Sequence, residues 1–243
     1  MNFFIMKPTA DSTIIGKYPQ LEKMFDGFHG FYRYEAWGLQ SDRRQTPMEH
    51  LAGFKLYYHA KVTDMVSAAQ FGIDAGLFSS RFYDLLQKFD CMEMISVDSE
   101  VFHHNKKYPY KFIYFPQTHN QFIDFERSRI YLHRSGWIGD VTVKNYEEFS
   151  NYLQELDELN RILIEKKEYS QTRMMSFLEL YLDEKKATKD FFRLARIAGH
   201  WIVSARLKEA IEAAGMTGMK FISAQGHKTP TLDTTVDPPR EVI

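Results

Sequence analysis

Two stretches of this chain share one plan: "GLFSSRFYDLLQKFDCMEMISVDS" at 76–99 and "HWIVSARLKEAIEAAGMTGMKFISAQ" at 200–225. Alignment places Leu77, Phe78, Ser79, Arg81, Phe82, Leu85 and Leu86 on Ile202, Val203, Ser204, Arg206, Leu207, Ala210 and Ile211. Each copy ends an extended apolar pair on a serine standing where a helix N-cap belongs, its hydroxyl able to accept from an N–H of the first turn. Beyond the serine, apolar residues recur on one helical stripe: Phe82, Leu85, Leu86 and Phe89 in the first copy, Leu207, Ala210, Ile211 and Ala214 in the second. The second copy also specifies its ending. Gly215 suits the left-handed residue that follows a helix, Met216 would reach back to Ile211 in a Schellman motif, and Thr217-Gly218 turns the chain into "MKFIS". The first copy has Asp90-Cys91 instead of that corner, then "MEMISV". A helix-then-strand unit used twice, about 77–97 and 202–224, predicts an α+β fold of mixed sheets packed against several helices.

Architecture also accounts for the polar members of the repeat. No Gly-x-Ser-x-Gly elbow surrounds Ser79 or Ser204, so capping outweighs a nucleophilic role. Gly215 and Gly218 serve backbone geometry, since no phosphate-loop spacing accompanies them. Arg81 and Arg206 are expected at the edge of the packed face, in structural roles.

Elsewhere the pattern is less repetitive. "NFFIMKP" has the length of a short first strand stopped by Pro8, and the stretch from there to about Arg44 reads as irregular structure. "LAGFKLYYHAKVT" reads as a strand, as do 111–115, 121–125 and 129–132. From 145 to 167 the period changes: Phe149, Leu153, Leu156 and Leu163 fall at helical spacings. Glu147, Glu148, Glu155, Asp157 and Glu158 crowd the first half of that helix and Lys166-Lys167 its end, as the helix dipole favours. "MMSFLELYL" reads as a second apolar helix. No interior linker divides 1–225, which is expected to form one domain, whereas 226–243, with three prolines and no periodicity, is expected to be a disordered tail.

Composition narrows the function classes. With 31 basic against 32 acidic residues the chain carries no field that would gather nucleic acid or anionic lipid, so neither is an expected partner. The single cysteine, Cys91, excludes an intramolecular disulfide and a cysteine-based zinc site, and fits a reducing cytoplasm. "MNFFIMKPTADS" lacks the basic start of a secretory signal and no apolar run has the length of a membrane span, so a soluble cytoplasmic protein is expected.

The string "IVSARLKEAIEAAGMTGMKF" (202–221) resembles the C-terminal signature of bacterial polymorphic-toxin immunity proteins of the eleventh immunity group. "LFSSRFYDLLQKF" (77–89) is similar to that family's mid-chain serine-arginine helix, "FIDFERSRI" (122–130) to its Asp-x-Glu-x-Ser segment, and "FFRLARIAGHWIVS" (191–204) to the lead-in to its final unit. With the opening strand these fall in the family's order over most of 1–224. The N-terminal third carries no matching motif and the tail is extra. The resemblance implies a protein that binds and neutralises a secreted toxin domain encoded beside it, without catalysis or cofactor. It assigns no contact residues, because the matched positions look like scaffold.

Read for chemistry, the remaining residues offer two candidates. Glu147, Glu148, Glu155, Asp157 and Glu158 would form an acidic patch suited to a basic toxin, against the simpler reading of a solvated helix face. Asp124 and Glu126 would share one face if 122–130 is a strand, and with a histidine, His119 or His133, could do acid–base work or hold a metal; ion pairing with Arg127 and Arg129 is the simpler reading. That pair carries the enzymatic alternative, a hydrolase or transferase that reverses a toxin's modification. A scaffold without a toxin partner is a third possibility. His103-His104 would point to opposite sides of a strand, and "HHNKKYPYK" reads as a solvated basic loop.

Overall fold

Apolar runs without alternation, such as "FFIM" and "WIVS", belong in strands buried on both faces. The computed structural model, which describes residues 2–24, 53–67, 76–115, 119–133, 137–168, 171–194 and 201–228, places them there. The order is β1 (Phe3–Pro8), α1 (Ser12–Ile15), β2 (Leu21–Met24), β3 (Phe54–Leu56), β4 (Met65–Val66), β5 (Gly76–Ser79), α2 (Ser80–Leu86), β6 (Ile95–His103) and β7 (Lys106–Tyr114). Then come β8 (Arg129–His133), β9 (Trp137–Val141), α3 (Tyr146–Glu165), β10 (Met174–Leu180), β11 (Phe191–Arg193), β12 (Trp201–Ser204), α4 (Ala205–Ala213), β13 (Met219–Ser223) and β14 (His227–Lys228). They form three sheets, ordered β2-β3-β6-β7-β5-β4, β11-β12-β1-β13 and β14-β10-β8-β9, so the fold is α+β.

The duplication reaches beyond the helix. In the first copy β4, β5, β7 and β6 lie side by side; in the second β11, β12, β1 and β13 do. In both, the strands flanking the helix are each antiparallel to one strand inserted between them, β7 or β1. The inserted strand follows β6 by a hairpin in one copy and comes from the chain's start in the other. Register confirms the match: Gly76 pairs with Ile113 as Trp201 pairs with Met6.

Three cores alternate with the sheets. Period-two geometry sends Phe78, Ile113, Met6, Val203 and Phe191 into a shared core with Phe82 and Leu86 of α2 and Leu207 and Ile211 of α4. Leu77 and Phe112 face a second core, and Ile5, Ile202 and Phe192 a third, which α3 and the β14-β10-β8-β9 sheet complete. Burying each such side chain contributes about 1.5–3 kcal/mol. Within the shared core the copies exchange bulk. The Phe78 ring lies over Gly76, where a Cβ would be 2.0 Å from Phe78 Cε2, whereas the second copy has Trp201 and the small Val203 at those positions. Phe78 and Trp201 meet edge to face at 5.3 Å.

Both serines cap as expected, accepting from Phe82 N at 3.3 Å and Leu207 N at 3.2 Å. The exit of α4 is the expected Schellman ending, with Gly215 at φ 61°, Met216 N donating to Ile211 O at 3.2 Å and Gly215 N to Glu212 O at 3.0 Å. Gly218 is at φ 95°, and a Cβ there would be 2.2 Å from Met65 O. Ala214, expected on the apolar stripe, is exposed because the helix ends at Ala213.

Several expectations are corrected. "MMSFLELYL" is strand β10, not a helix: Met175, Phe177, Leu180 and Leu182 are buried, and a bulge between Phe177 and Glu179 stretches one step to three residues, imitating helical spacing. Residues 121–125 run from a 3₁₀ turn (Asn120–Phe122) through an isolated bridge at Ile123 into a turn, rather than forming a strand. The region before Arg44 contains α1 and β2, and its remainder from 25 lies outside the described residues. Among the described residues of "LAGFKLYYHAKVT", from Gly53 on, only Phe54–Leu56 is strand. "HHNKKYPYK" is the tip of the β6–β7 hairpin, not a loop. Of the expected tail, Gly226 turns the chain and His227–Lys228 pairs with β10; 229–243 lie outside the described residues.

Candidate functional site

The serine–arginine pairs that define the repeat each close on a buried aspartate. Asp64, 4% exposed, accepts Ser79 Oγ at 2.6 Å, Arg81 Nε and Nη2 at 2.6 Å each, and Thr217 N at 2.9 Å. Asp190, 1% exposed, accepts Ser204 Oγ at 2.6 Å, Arg206 through Nε at 3.3 Å and through Nη2, and Asp90 N at 3.0 Å. Burial alone would raise both carboxyls; the bonds from arginine, serine and backbone outweigh it and hold them below the ordinary carboxylate value. The last bond of each set crosses between copies: Asp64 holds the chain leaving α4, and Asp190 the chain leaving α2. Arg81 and Arg206 thus stand at the exposed edge, as expected, each forked onto a buried aspartate. The aspartates stand 15 and 14 residues before their serines, and aligning the copies that far upstream would have exposed them.

Of the acids proposed on α3, Asp157 is 8% exposed and cannot join a surface patch. Glu148 is engaged in capping, accepting Lys144 N at 2.8 Å while its own N–H donates to Asn145 Oδ1 at 2.9 Å. Glu158 pairs with Arg161 at 2.5 Å, which holds its carboxyl below the ordinary value, and Arg161 also reaches Glu165 at 2.6 Å. The exposed stripe Glu147, Asn151, Gln154, Glu158, Arg161, Glu165 is therefore partly neutralised, and Glu147 and Glu155 are the remaining exposed acids of the five.

Asp124 and Glu126 do come to a concavity. A cleft of about 550 Å³ lies between the turn they occupy, the start of α3 at Lys144, Asn145 and Tyr146, and the loop from Leu182 to Lys186. Asp124 N donates to Tyr181 O at 3.0 Å and Asp183 N to Phe122 O at 2.8 Å, stitching two of its walls. The alternate-face geometry fails because Asp124 opens a turn, taking Arg127 N on Oδ1 at 3.2 Å and Ser128 N on its carbonyl at 3.0 Å. Its ion pair with Arg127 is long, 4.0 Å, and Arg127 lies over the Tyr181 ring at 4.1 Å; Arg129 turns to Asp140 at 3.5 Å. Asp183, whose carboxyl burial would raise, is drawn below the ordinary value by Lys185 N and by Lys186. Acids and bases balance along the lining: Asp124, Glu126, Asp183 and Glu184 against Arg127, Lys144, Lys185 and Lys186.

No histidine lines this cleft. His119 is buried among Phe115, Phe122 and Phe192, its Nδ1 3.3 Å from Arg193 O, and burial keeps it below its ordinary pKa. The side chain of His133 lies outside the described residues. His103 and His104, expected to diverge, have ring centroids 3.9 Å apart because His103 ends strand β6 and His104 opens the hairpin turn at positive φ. Among the described residues no cluster of three His, Cys, Asp or Glu is arranged to hold a metal ion, and no helix is long and apolar enough to cross a membrane. Burial pushes the Cys91 thiol up to about 12, which makes it a poor nucleophile. Neither a protein-family model nor a curated protein matches this chain.

Proposed function

We propose that this chain is an immunity protein, a stoichiometric cytoplasmic binder of a secreted toxin domain. The supporting observation is where the resembling strings fall. Both serine–arginine strings sit at equivalent places in two half-structures that share one core and hold each other's helix exits. Residues spent on such a clasp build a stiff platform, and a platform that loses little freedom on binding is what tight docking requires. Co-expression with the product of the neighbouring gene should give an equimolar complex on light scattering, and Asp124→Asn with Glu126→Gln should leave it intact.

The catalytic alternative draws on the cleft, whose volume suits a small substrate and which holds both carboxylates. It predicts the reverse: no stable complex, protection at a small fraction of the toxin's concentration, and its loss in Glu126→Gln.

A further inference from the structure

Among the described residues four large apolar or aromatic side chains are exposed: Ile14, Tyr18, Tyr58 and Tyr146. Three of them belong to segments stitched side by side. Lys61 N donates to Ile15 O at 2.8 Å, Tyr57 N to Gln20 O at 2.9 Å and Lys61 Nζ to Thr13 O at 2.8 Å, while Lys17 Nζ lies 3.6 Å over the Tyr57 ring. The tip of the β6–β7 hairpin reaches the same place. Tyr58 O is 3.2 Å from His103 Nε2, and the Tyr58 ring, 71% exposed, meets His104 edge to face at 4.5 Å and His59 at 5.1 Å.

The turn that brings His104 there is held in an unfavourable conformation. His104 and Asn105 have φ of 47° and 62°, the two left-handed positions of a two-residue hairpin, where glycine is the usual second residue. Strain of this kind, retained where it sets a side chain on the surface, points to use of that side chain. The charge around it is mostly positive, with Asp11 the exposed carboxylate at its edge. Lys17, Lys61 and Lys106 are exposed at its margin, whereas the nearby Glu22 and Glu100 are engaged by Lys55 and Lys107. A rigid tyrosine ringed by imidazoles has the make-up of an interface anchor.

We propose that the patch centred on Tyr58, with His59, His103, His104, Ile14 and Tyr18, is the surface that docks the toxin domain, and that it receives a carboxylate-bearing face of that protein. This rests on the immunity reading and moves the contact from the acids of α3 to the far side of the six-stranded sheet's hairpin. A protein face is favoured over a nucleic-acid strand because three lysines with Asp11 beside them are too few cations to track a run of phosphates.

The test is calorimetric titration with the toxin domain encoded by the neighbouring gene. Wild type should bind, Tyr58→Ala should weaken binding about 30-fold or more, and Glu147→Gln with Glu155→Gln should change it less than threefold. His104→Gly separates structure from docking: the turn relaxes, so the melting temperature should hold or rise while affinity falls. Wild-type binding that Tyr58→Ala leaves within threefold overturns the patch and spares the immunity reading. No wild-type complex overturns both. Binding of a single-stranded oligonucleotide that Tyr58→Ala abolishes would replace the protein partner and overturn the proposal.

Discussion

The two copies of the clasped unit reach one geometry by different routes. In the first, the strand between β5 and β6 is β7, supplied by the adjacent hairpin; in the second, the strand between β12 and β13 is β1, from the opposite end of the chain. The first closes without glycine through Asp90-Cys91, and the second needs Gly215 and Gly218 at positive φ. The first places a phenylalanine over a glycine, and the second a tryptophan beside a valine. What both keep is the buried aspartate, the capping serine and the arginine fork. The lesson is that the polar clasp defines the unit and that apolar bulk is free to trade across the shared core, provided the total is kept.

The comparison breaks hardest at the bulk it exchanges. Trp201→Ala, at a site 5% exposed against Phe78, Phe115 and Phe191, should cost about 4 kcal/mol by urea unfolding. Gly76→Ala should cost about 1–3 kcal/mol, as the Phe78 ring must move. In a Phe78→Ala background that penalty should largely vanish, a coupling that a double-mutant cycle would read.

Next come the clasps. Asp190→Ala and Asp64→Ala should each cost about 3 kcal/mol, the low end for a broken buried pair because the arginines are largely exposed. The sharper readout is crosswise. Amide exchange should quicken at Asp90 in Asp190→Ala and at Thr217 in Asp64→Ala, each in the other copy. Exchange that quickens only within the mutated copy would show that the halves are not tied. The corner glycines follow. Gly218→Ala meets the Met65 carbonyl as well as a left-handed backbone and should cost about 2–3 kcal/mol, whereas Gly215→Ala, with open space around it, should cost about 1 kcal/mol.

The smallest effect is in acid. Both clasp carboxyls titrate below their unfolded value, so the stability they contribute is full above the ordinary value of about 3.9 and is lost as pH falls through the lower folded one. Asp64→Asn and Asp190→Asn should therefore flatten the fall in melting temperature below about pH 4. Histidine acts earlier. His119 and His227 are held below their ordinary value by burial, His227 also by Lys7, so the unfolded chain binds more protons and stability should begin to decline as pH drops below about 6.5.

Local rules carried the parts of the fold that local chemistry decides. The α3 helix is readable because Asn145 caps it and Phe149, Leu156 and Asn160 recur on its buried side. The twin serines were readable for the same reason. β10 was not, because its bulge counterfeits a helical step. The turn at Asp124 was missed because Phe122, Ile123 and Phe125 are all buried there, and an apolar run over a turn resembles a strand. The correspondence of β1 with β7 is a permutation, which no linear alignment of the repeat displays. Asp124 and Glu126 were rightly placed together, but the loop from Leu182 to Lys186 that makes their turn a cleft joins them only through tertiary pairing of Ile123 with Leu182. Tyr58 carried no sequence signal at all, since its exposure is set by three segments meeting.

The proposed docking role is tested most directly by a protection curve: growth inhibition by the product of the neighbouring gene, measured against increasing amounts of this chain. A platform that neutralises by docking gives a straight decline that breaks at one chain per toxin. Protection complete at a hundredth of that ratio, with Glu126→Gln abolishing it, would contradict the account.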